Sequence, residues 1–512
     1  MKNRDLQATW AYHNGTKHSY ESIRTNRHYL DWENQPMPFK IYSQLEPIPL
    51  PQHLSSSGMS ALEAISASAA KDSIPAIQSL AEIFYLSAGI TKRRSYPGGE
   101  ILFRAAACTG ALYHIDLYLV CGDLTDLKAG VYHFGPQDFA LRQLRSGDYR
   151  DVLIQATGGE PAITTAPAII ICASTYWRNA WKYQSRAYRH CYWDSGTILA
   201  NLLAAAVARH VPARIVVGFV DGIVNQLLSL ETKREASLAL IALGNLPSQP
   251  PISSPPVDSL TFDITPLSKT EVDYPAIRAM HEASSLETEA EVVEWRRQKA
   301  GDLGSQSPSP AESVIALQPV DDDPMPRNEL EDVIQRRGST RQFARDSISL
   351  RQLSVMLDRS TRGIPSDFLP PEEKPLNDLY LIVHAVEDLA PGAYVFHRDS
   401  LALKLLKEGD FRRQAGYLGL GQEIPADCSV NVFFLTDLNR VLSRWGNRGY
   451  RAAHLEASIM AGKLYLAAYA QGLGASGLTF FDDDVIEFFE PHAGGKSVMF
   501  LLAIGKSVRR KI

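Results

Sequence analysis

The chain has 512 residues, room for roughly two to four domains, and its 45% apolar and 21% charged residues are ordinary for a soluble globular protein. A net charge of −5 leaves no polybasic surface for nucleic acid or an anionic membrane. The five cysteines (Cys108, Cys121, Cys172, Cys191 and Cys428) are odd in number and form no CxxC, and no HExxH occurs, so a disulfide framework and a metal site are not expected.

From the start, Met1–Trp10 is polar and lacks the apolar core of a signal peptide. The longest apolar runs, such as Ala166–Ala173, are far too short to span a bilayer. A reducing, cytoplasmic location is the expectation. Residues 1–72 read as an N-terminal arm, aromatic-rich over Trp10–Tyr42; His13, His18 and His28 within it do not stand at metal-ligand spacing.

Residues 73–247 read as a first folded half. A short alternating strand, Asp116–Cys121, is followed by a turn glycine and a second strand, Val131–Phe134. A helix, a β-rich run at Ala168–Ala173 and a long Ala/Leu helix over roughly Asp194–Arg209 come next, and Leu238–Gly244 closes the half. Residues 248–326 have linker composition, with a Ser/Pro stretch at Ser305–Ser313, an acidic run at Asp321–Asp323, and one amphipathic helix expected near Tyr274–Gln298. Residues 327–512 then run through the same series: Asp378–His384, Ala393–Phe396, Val430–Leu435, a long helix over Leu455–Gln471, and Val498–Gly505.

This is an internal repeat. Asp116-Leu117-Tyr118-Leu119-Val120 recurs as Asp378-Leu379-Tyr380-Leu381-Ile382, an offset of 262 residues. Gly130-Val131-Tyr132 recurs as Gly392-Ala393-Tyr394, and Arg186-Ala187-Tyr188-Arg189 as Arg448-Gly449-Tyr450-Arg451, at the same offset. A constant offset over most of a domain points to a fused pair of α+β units that mimics a homodimer, with both long helices at a pseudo-two-fold interface and the chain itself a monomer.

The halves differ where chemistry is expected. Half two opens on Arg337-Gly338-Ser339-Thr340-Arg341, whose forked and short donors suit one phosphate; the aligned stretch of half one, Glu63–Ala67, has no cation. Half one carries an insertion, Arg104-Ala105-Ala106-Ala107-Cys108-Thr109-Gly110-Ala111-Leu112-Tyr113-His114, whose small residues let backbone approach a planar ring. In half two Pro370-Pro371-Glu372-Glu373-Lys374-Pro375 stands there instead. Lys182-Tyr183 of half one becomes Arg444-Trp445 in half two. A lysine of lowered pKa can act as a base and a tyrosine can relay a proton, whereas Arg and Trp can do neither. One composite site would draw on both halves.

At these residues the chain resembles the nitroreductase superfamily, and more closely its SagB-type branch. Arg337–Phe343 is similar to the superfamily's flavin-phosphate motif, and Ala107–Tyr113 resembles the branch's P-S-A-G-A-x-Y loop, departing from it at Ala107 and Cys108. Lys182–Arg189 is similar to the K-Y-x-x-R-x-Y-R segment of azoline oxidases. The resemblance implies two fused nitroreductase-like three-layer domains and FMN held between them. Its phosphate and ring would be met by Arg337, Ser339, Arg341, Arg104, Cys108, Thr109, Gly110, Ala111 and Leu112, with backbone near Gly477, Leu478 and Thr479 along the ring edge. Lys506 and Arg509 would reach the phosphate, or form a solvated tail with Arg510. Lys182 and Tyr183 would be the catalytic pair, or a surface cation and a packing residue.

Gly472–Gly477 fits GxGxxG, but it follows a helix and precedes the strand-like Leu478–Phe481, the reverse of a dinucleotide fingerprint; it reads as a helix cap and turn. No GxSxG occurs to support hydrolysis. The functions to weigh are an FMN-dependent dehydrogenase of azoline type, an NAD(P)H-dependent nitro or quinone reductase, and a non-catalytic flavin-binding protein. The partner is a small-molecule or peptide substrate, with NAD(P)H as a further candidate.

Overall fold

The computed structural model describes residues 2–67, 73–96, 99–246, 253–298, 314–318, 328–369 and 374–508. Ser305–Ser313, Asp321–Asp323, Pro370–Glu373, Arg509 and Arg510 lie outside the described residues.

The arm supplies β1 (Pro47–Pro49), and half one carries β2 (Ile90–Tyr96), β3 (Gly99–Arg104), β4 (Ile115–Cys121), β5 (Gly130–Gly135), β6 (Ala140–Ser146), β7 (Ala168–Thr175), β8 (Ala213–Val216) and β9 (Glu235–Leu243). The segment read as a linker supplies β10 (Val314–Ala316), and half two carries β11 (Asn377–Val383), β12 (Gly392–His397), β13 (Ala402–Glu408), β14 (Val430–Thr436), β15 (Gly474–Leu478) and β16 (Ser497–Gly505). Two seven-stranded antiparallel sheets result, ordered β1-β6-β5-β4-β7-β9-β8 and β10-β13-β12-β11-β14-β16-β15, the same topology twice. β2 and β3 form a separate hairpin leading into the half-one insertion.

β4 is buried along its whole length, because its alternation separates two cores rather than core from water. Leu117, Leu119 and Cys121 face the long-helix side, and Tyr118 and Val120 face the outer helices with Leu153, Ile163 and Val224. That is the three-layer α+β architecture expected from the sequence. β6 and β13 fall on the polar stretches Arg142–Arg145 and Lys404–Lys407, where no strand was expected; backbone pairing to β5 and β12 forms them regardless of apolar pattern.

The long helices, Ala187–Ala208 and Arg448–Ala470, pack against each other at the centre. A Cβ at Gly196 would sit 1.8 Å from Ser458 Oγ, and one at Gly462 would sit 2.5 Å from Ala200 Cβ, so glycine sets the helix approach at both contacts. Ser458 and Ala200 are the repeat mates of those glycines, which places the pseudo-two-fold axis between the helices. Both helices begin seven residues earlier than the apolar run indicates. The added turns carry Arg186 and Arg189, and Arg448 and Arg451, whose charges are answered from the other half. Asp482 accepts from Arg186 at 2.9 Å and Arg189 at 2.6 Å; Asp221 accepts from Arg448 at 2.5 Å and Arg451 at 2.7 Å. All six groups are buried. The paired guanidinium charges hold the Asp482 carboxyl far below the usual carboxylate range and bring Asp221 down to about 2, against the opposing effect of burial.

The region read as a linker is built into the fold. Its single expected helix is two, Pro275–Ala283 and Glu289–Arg297. Ser284 and Ser285 bond back to the Met280 and His281 carbonyls, and Thr288 caps the second helix, so the chain breaks between them. The linker also mirrors the arm. β1 pairs β6 and β10 pairs β13; His18 N donates to Asp482 and Leu286 N donates to Asp221. The duplication therefore reaches beyond the two halves into the segments that precede them.

β15 starts four residues before the strand-like run Leu478–Phe481, because it pairs Gly474–Leu478 with Gly505–Leu501. Helix, glycine turn and strand follow in that order: the long helix ends at Ala470, and Gly472 takes a φ of 73°. Among the described residues no helix is long and apolar enough to cross a membrane.

Candidate functional site

The half-one insertion leaves β3 and is fastened to the first long helix. Asp194, inside that helix, accepts from Thr109 N at 2.9 Å, Thr109 Oγ1 at 2.7 Å, Cys108 Sγ at 3.0 Å and His114 Nε2 at 2.9 Å. Thr197 Oγ1 donates to the Ala107 carbonyl at 2.6 Å. Burial, with the Asp194 charge alongside, pushes the Cys108 thiol well above its ordinary range, so Cys108 serves as a neutral donor. Gly110 has a φ of 67°, and a Cβ there would meet Tyr183 Oη at 2.8 Å, so both backbone and space require glycine. Ala111 and Tyr113 also take positive φ, at 55° and 49°, a conformation costing about 1 kcal/mol or more per residue that the Asp194 contacts hold in place. Leu112 packs with Trp177, Trp181 and Leu267.

Arg104 is turned into this structure. Its Nη2 donates to the Pro38 carbonyl at 2.5 Å, and its guanidinium lies 4.9 Å from the Tyr113 ring centre and 5.3 Å from that of Phe39. Burial and neighbouring Arg178 lower its pKa to about 10. These contacts fasten the loop, and the buried Nε has no hydrogen-bond partner.

Half two meets the insertion from across the pseudo-dimer interface. Arg337 Nε donates to the Ala105 carbonyl at 2.8 Å and Nη2 to the Arg104 carbonyl at 3.2 Å, with the guanidinium 5.7 Å from the Tyr465 ring centre. Ser339 bridges to Ala475 on β15, and its Oγ lies 3.4 Å from Tyr465 Oη. Gly477 N donates to the same Tyr465 hydroxyl at 2.5 Å. Ala344 N donates to the Lys506 carbonyl, leaving the Lys506 side chain exposed. Arg337, Ser339, Arg341, Gly477, Leu478, Thr479 and Lys506 thus gather at one end of sheet two, with Leu478 in the core. Thr479 Oγ1 is buried with no hydrogen-bond partner.

Lys182 and Tyr183 end the helix Tyr176–Tyr183. The Lys182 ammonium lies 5.4 Å from the Tyr183 ring centre, and that ring meets His190 edge-on at 4.7 Å. Burial, and after it the charge of Arg341 from half two, pull the Lys182 pKa down. Burial, with Asp194 and Cys108 next, pushes the Tyr183 phenol up, against Arg341. Catalytic candidates of one half and a phosphate candidate of the other are electrostatic neighbours. An amine biased toward its neutral form beside a phenol kept protonated can exchange a proton with a substrate.

The mate positions are put to structural use. Arg444 donates to the Gln298 carbonyl at 3.0 Å and stacks 4.1 Å from the Trp445 ring centre. Ile215, the repeat mate of Gly477, and Val217 and Gly218 just after it are taken by half two: Asp367 accepts from Val217 N at 2.9 Å and Gly218 N at 2.8 Å, and the Pro365 carbonyl accepts from Ile215 N at 2.9 Å. The edge left available at one end is closed by the chain itself at the other. Asp194, Tyr465 and Asp367 were not singled out from the sequence. The signal for Asp194 was an acid inside a helix apolar on nearly every face.

Among the described residues no group of three or more His, Cys, Asp or Glu could hold a metal ion. Residues 334–506 match the Nitroreductase family. A solved structure from Anabaena variabilis, assigned as a nitroreductase, aligns over 98% of this chain and 99% of its own, with 26% identity and a TM-score of 0.77. A protein of Methanocaldococcus jannaschii, also assigned as a nitroreductase, is 23% identical over 168 residues, 33% of this chain and 80% of the relative. The family's domain lies in half two, its topology is repeated in half one, and a like-built chain is matched nearly end to end, which together support the nitroreductase superfamily for this chain.

Proposed function

We propose that this chain is an FMN-dependent oxidoreductase with one flavin per chain, of SagB-like azoline dehydrogenase type. The observation that carries the reading is that the candidate phosphate residues of half two and the candidate catalytic residues of half one meet across the interface at one end. Arg337 of half two grips the Arg104–Ala105 backbone of half one, and Arg341 stands beside Lys182 and Tyr183. The residues present fit the cofactor. Thr479 Oγ1 is a buried polar atom awaiting a partner, and no ion pair engages the exposed Arg341 among the described residues. Ser339, Arg341, Lys506 and the remaining donors of Arg337 would hold the phosphate, and the Cys108–Leu112 loop and Gly477–Thr479 would flank the ring.

When bound, FMN supplies hydride acceptance or donation at its ring. The chain's own task is the proton that travels with the hydride. Lys182, its ammonium destabilised by burial and by Arg341, takes that proton from the substrate, and Tyr183 passes it on. Asp194 and Thr197 keep the loop in place against Gly110's approach to Tyr183. The two halves, 73–247 and 327–512, act as one unit, and the chain works as a monomer in a reducing cytoplasm. A second reading, an NAD(P)H-dependent nitro or quinone reductase, is favoured by what the two relatives are called.

The test is flavin stoichiometry. Protein saturated with FMN and desalted should release one FMN per chain by absorbance; two per chain would overturn the composite site. Stopped-flow reduction of the bound flavin, comparing an azoline peptide with NADPH, separates the two substrate readings.

A further inference from the structure

The pseudo-two-fold mate of the flavin end retains a cavity of about 260 Å³. Its walls include Leu203 and Val207, the repeat mates of the Tyr465 and Tyr469 that stand beneath Ser339 and Thr340. A second flavin has no means of binding there. The aligned stretch Glu63–Ala67 has no cation, Asp367 and Pro365 consume the ring edge, and the volume is below the ~300 Å³ of the smallest drug-sized sites.

The cavity is nevertheless charged. Lys463, Arg398 and Arg362 line it, and among the described residues lining it there is no carboxylate. Arg362 is shared with Asp358 at 2.7 Å and is 41% exposed. Lys463 is 5% exposed and gives one hydrogen bond, to the Gly363 carbonyl at 2.7 Å, out of the three an ammonium can make. Its repeat mate is the neutral Asn201, which donates to the Leu86 carbonyl, so the cation belongs to this end alone. Burial, and then Arg398, lower the Lys463 pKa to about 8, the mark of a charge without a counter-ion. Ser66, whose hydroxyl donates to the Leu62 carbonyl, also lines it, and Ile65, Ile364 and Leu369 give the wall its apolar part.

We propose that this cavity is a second ligand site, for a small monocarboxylate with an apolar body. The carboxylate meets Lys463 and Arg398, and the hydrocarbon lies along Leu203, Val207 and Ile364. The site stands whether or not the flavin reading is correct, since it shares no residue with that end.

The experiment is calorimetric titration of the full-length, FMN-saturated protein with hexanoate and with hexanamide. Saturable binding of one hexanoate per chain is expected, with hexanamide about tenfold weaker or more. Lys463→Met, which removes the charge, and Ala204→Trp, which fills the cavity, should each weaken hexanoate by about tenfold or more while leaving released FMN per chain unchanged. Thermal melts establish that both variants are folded. Absence of saturation with hexanoate, equal binding of hexanamide, or parental affinity in both folded variants would each overturn the proposal. So would displacement of hexanoate by additional FMN.

Discussion

If the two halves are locked by crossed charges, Asp482→Asn should loosen the whole pseudo-dimer. The asparagine keeps the shape and removes the charge, leaving the Arg186 and Arg189 guanidiniums, 3% and 0% exposed, without a counter-ion. Stripping one partner from a buried pair costs about 3–5 kcal/mol, and two cations share this one. For a chain of this size, at roughly 1–2 °C per kcal/mol, the melting midpoint should fall by about 3–10 °C. Urea unfolding at pH 7 should show a matching loss, and Glu33→Gln is the control. Its pair with Lys269 is 85% and 72% exposed, so the midpoint should hardly move. Arg186 follows Tyr183 by three residues, so FMN affinity should fall together with stability. A double-mutant cycle of Asp482→Asn with Arg189→Met isolates the pair, with a coupling of roughly 2 kcal/mol or more expected. An Asp482→Asn variant as stable as Glu33→Gln would refute the claim that these charges hold the halves together.

Three further outcomes are expected. Arg341→Ala, at an exposed position, should weaken FMN by roughly a hundredfold, about 2–3 kcal/mol by fluorescence titration, and leave the melting midpoint unchanged. Tyr183→Phe should keep FMN bound and slow substrate turnover by roughly a hundredfold or more, whereas Trp445→Phe should leave turnover intact; equal effects would return Tyr183 to a packing role. Asp221, held at about 2 in the folded chain against about 4 unfolded, contributes stability that is full above the unfolded value and lost as pH falls toward 2. Asp221→Asn should therefore be far less stable than the parent at pH 7 and nearly equal to it near pH 2, by urea titration.

The repeat and the fold class were legible because they are written in apolar pattern. β4, β7, β9 and their mates are continuous buried runs, and the long helices are Ala/Leu-rich. What stayed hidden was carried by polar residues whose partners are distant in sequence. The first turns of both long helices looked non-helical because Arg186, Arg189, Arg448 and Arg451 find their carboxylates roughly 230–300 residues away, and no local pattern reports that. β6 and β13 were missed for a different reason: hairpin pairing to the neighbouring β5 and β12 holds strands that apolar alternation does not mark. The 248–326 segment looked like a linker from its prolines and serines, yet Trp295 within it is buried and donates to the Trp445 carbonyl at 3.1 Å. For the candidate site, symmetry breaking singled out the loop at Cys108–Leu112, the Arg337–Arg341 turn and Lys182–Tyr183, and the fold brings these segments near one another. Symmetry breaking passed over Asp194, the acid that holds the loop.

Fusion changes what each substitution can do. In a two-fold dimer of identical chains, any side chain placed at one end appears at both, so Lys463 would enter both ends and Asp367 would close both strand edges. In one chain the ends are independent. Lys463 stands opposite a neutral Asn201, and Asp367 closes the edge at Val217 and Gly218 while the corresponding edge at Thr479 keeps an unpartnered hydroxyl. The axis residues show the same release, with Gly196 against Ser458 and Ala200 against Gly462, each a small residue meeting a different small residue. The charge lock remains doubled because it serves the interface, where both copies bear load: Asp221 and Asp482 each keep two arginines. The buried charge pairs that hold the halves together therefore still follow the two-fold, whereas Lys182, Lys463 and Asp367 do not. On the proposed function, that division is the reason the asymmetric residues, and not the repeated ones, are the ones assigned to the chemistry.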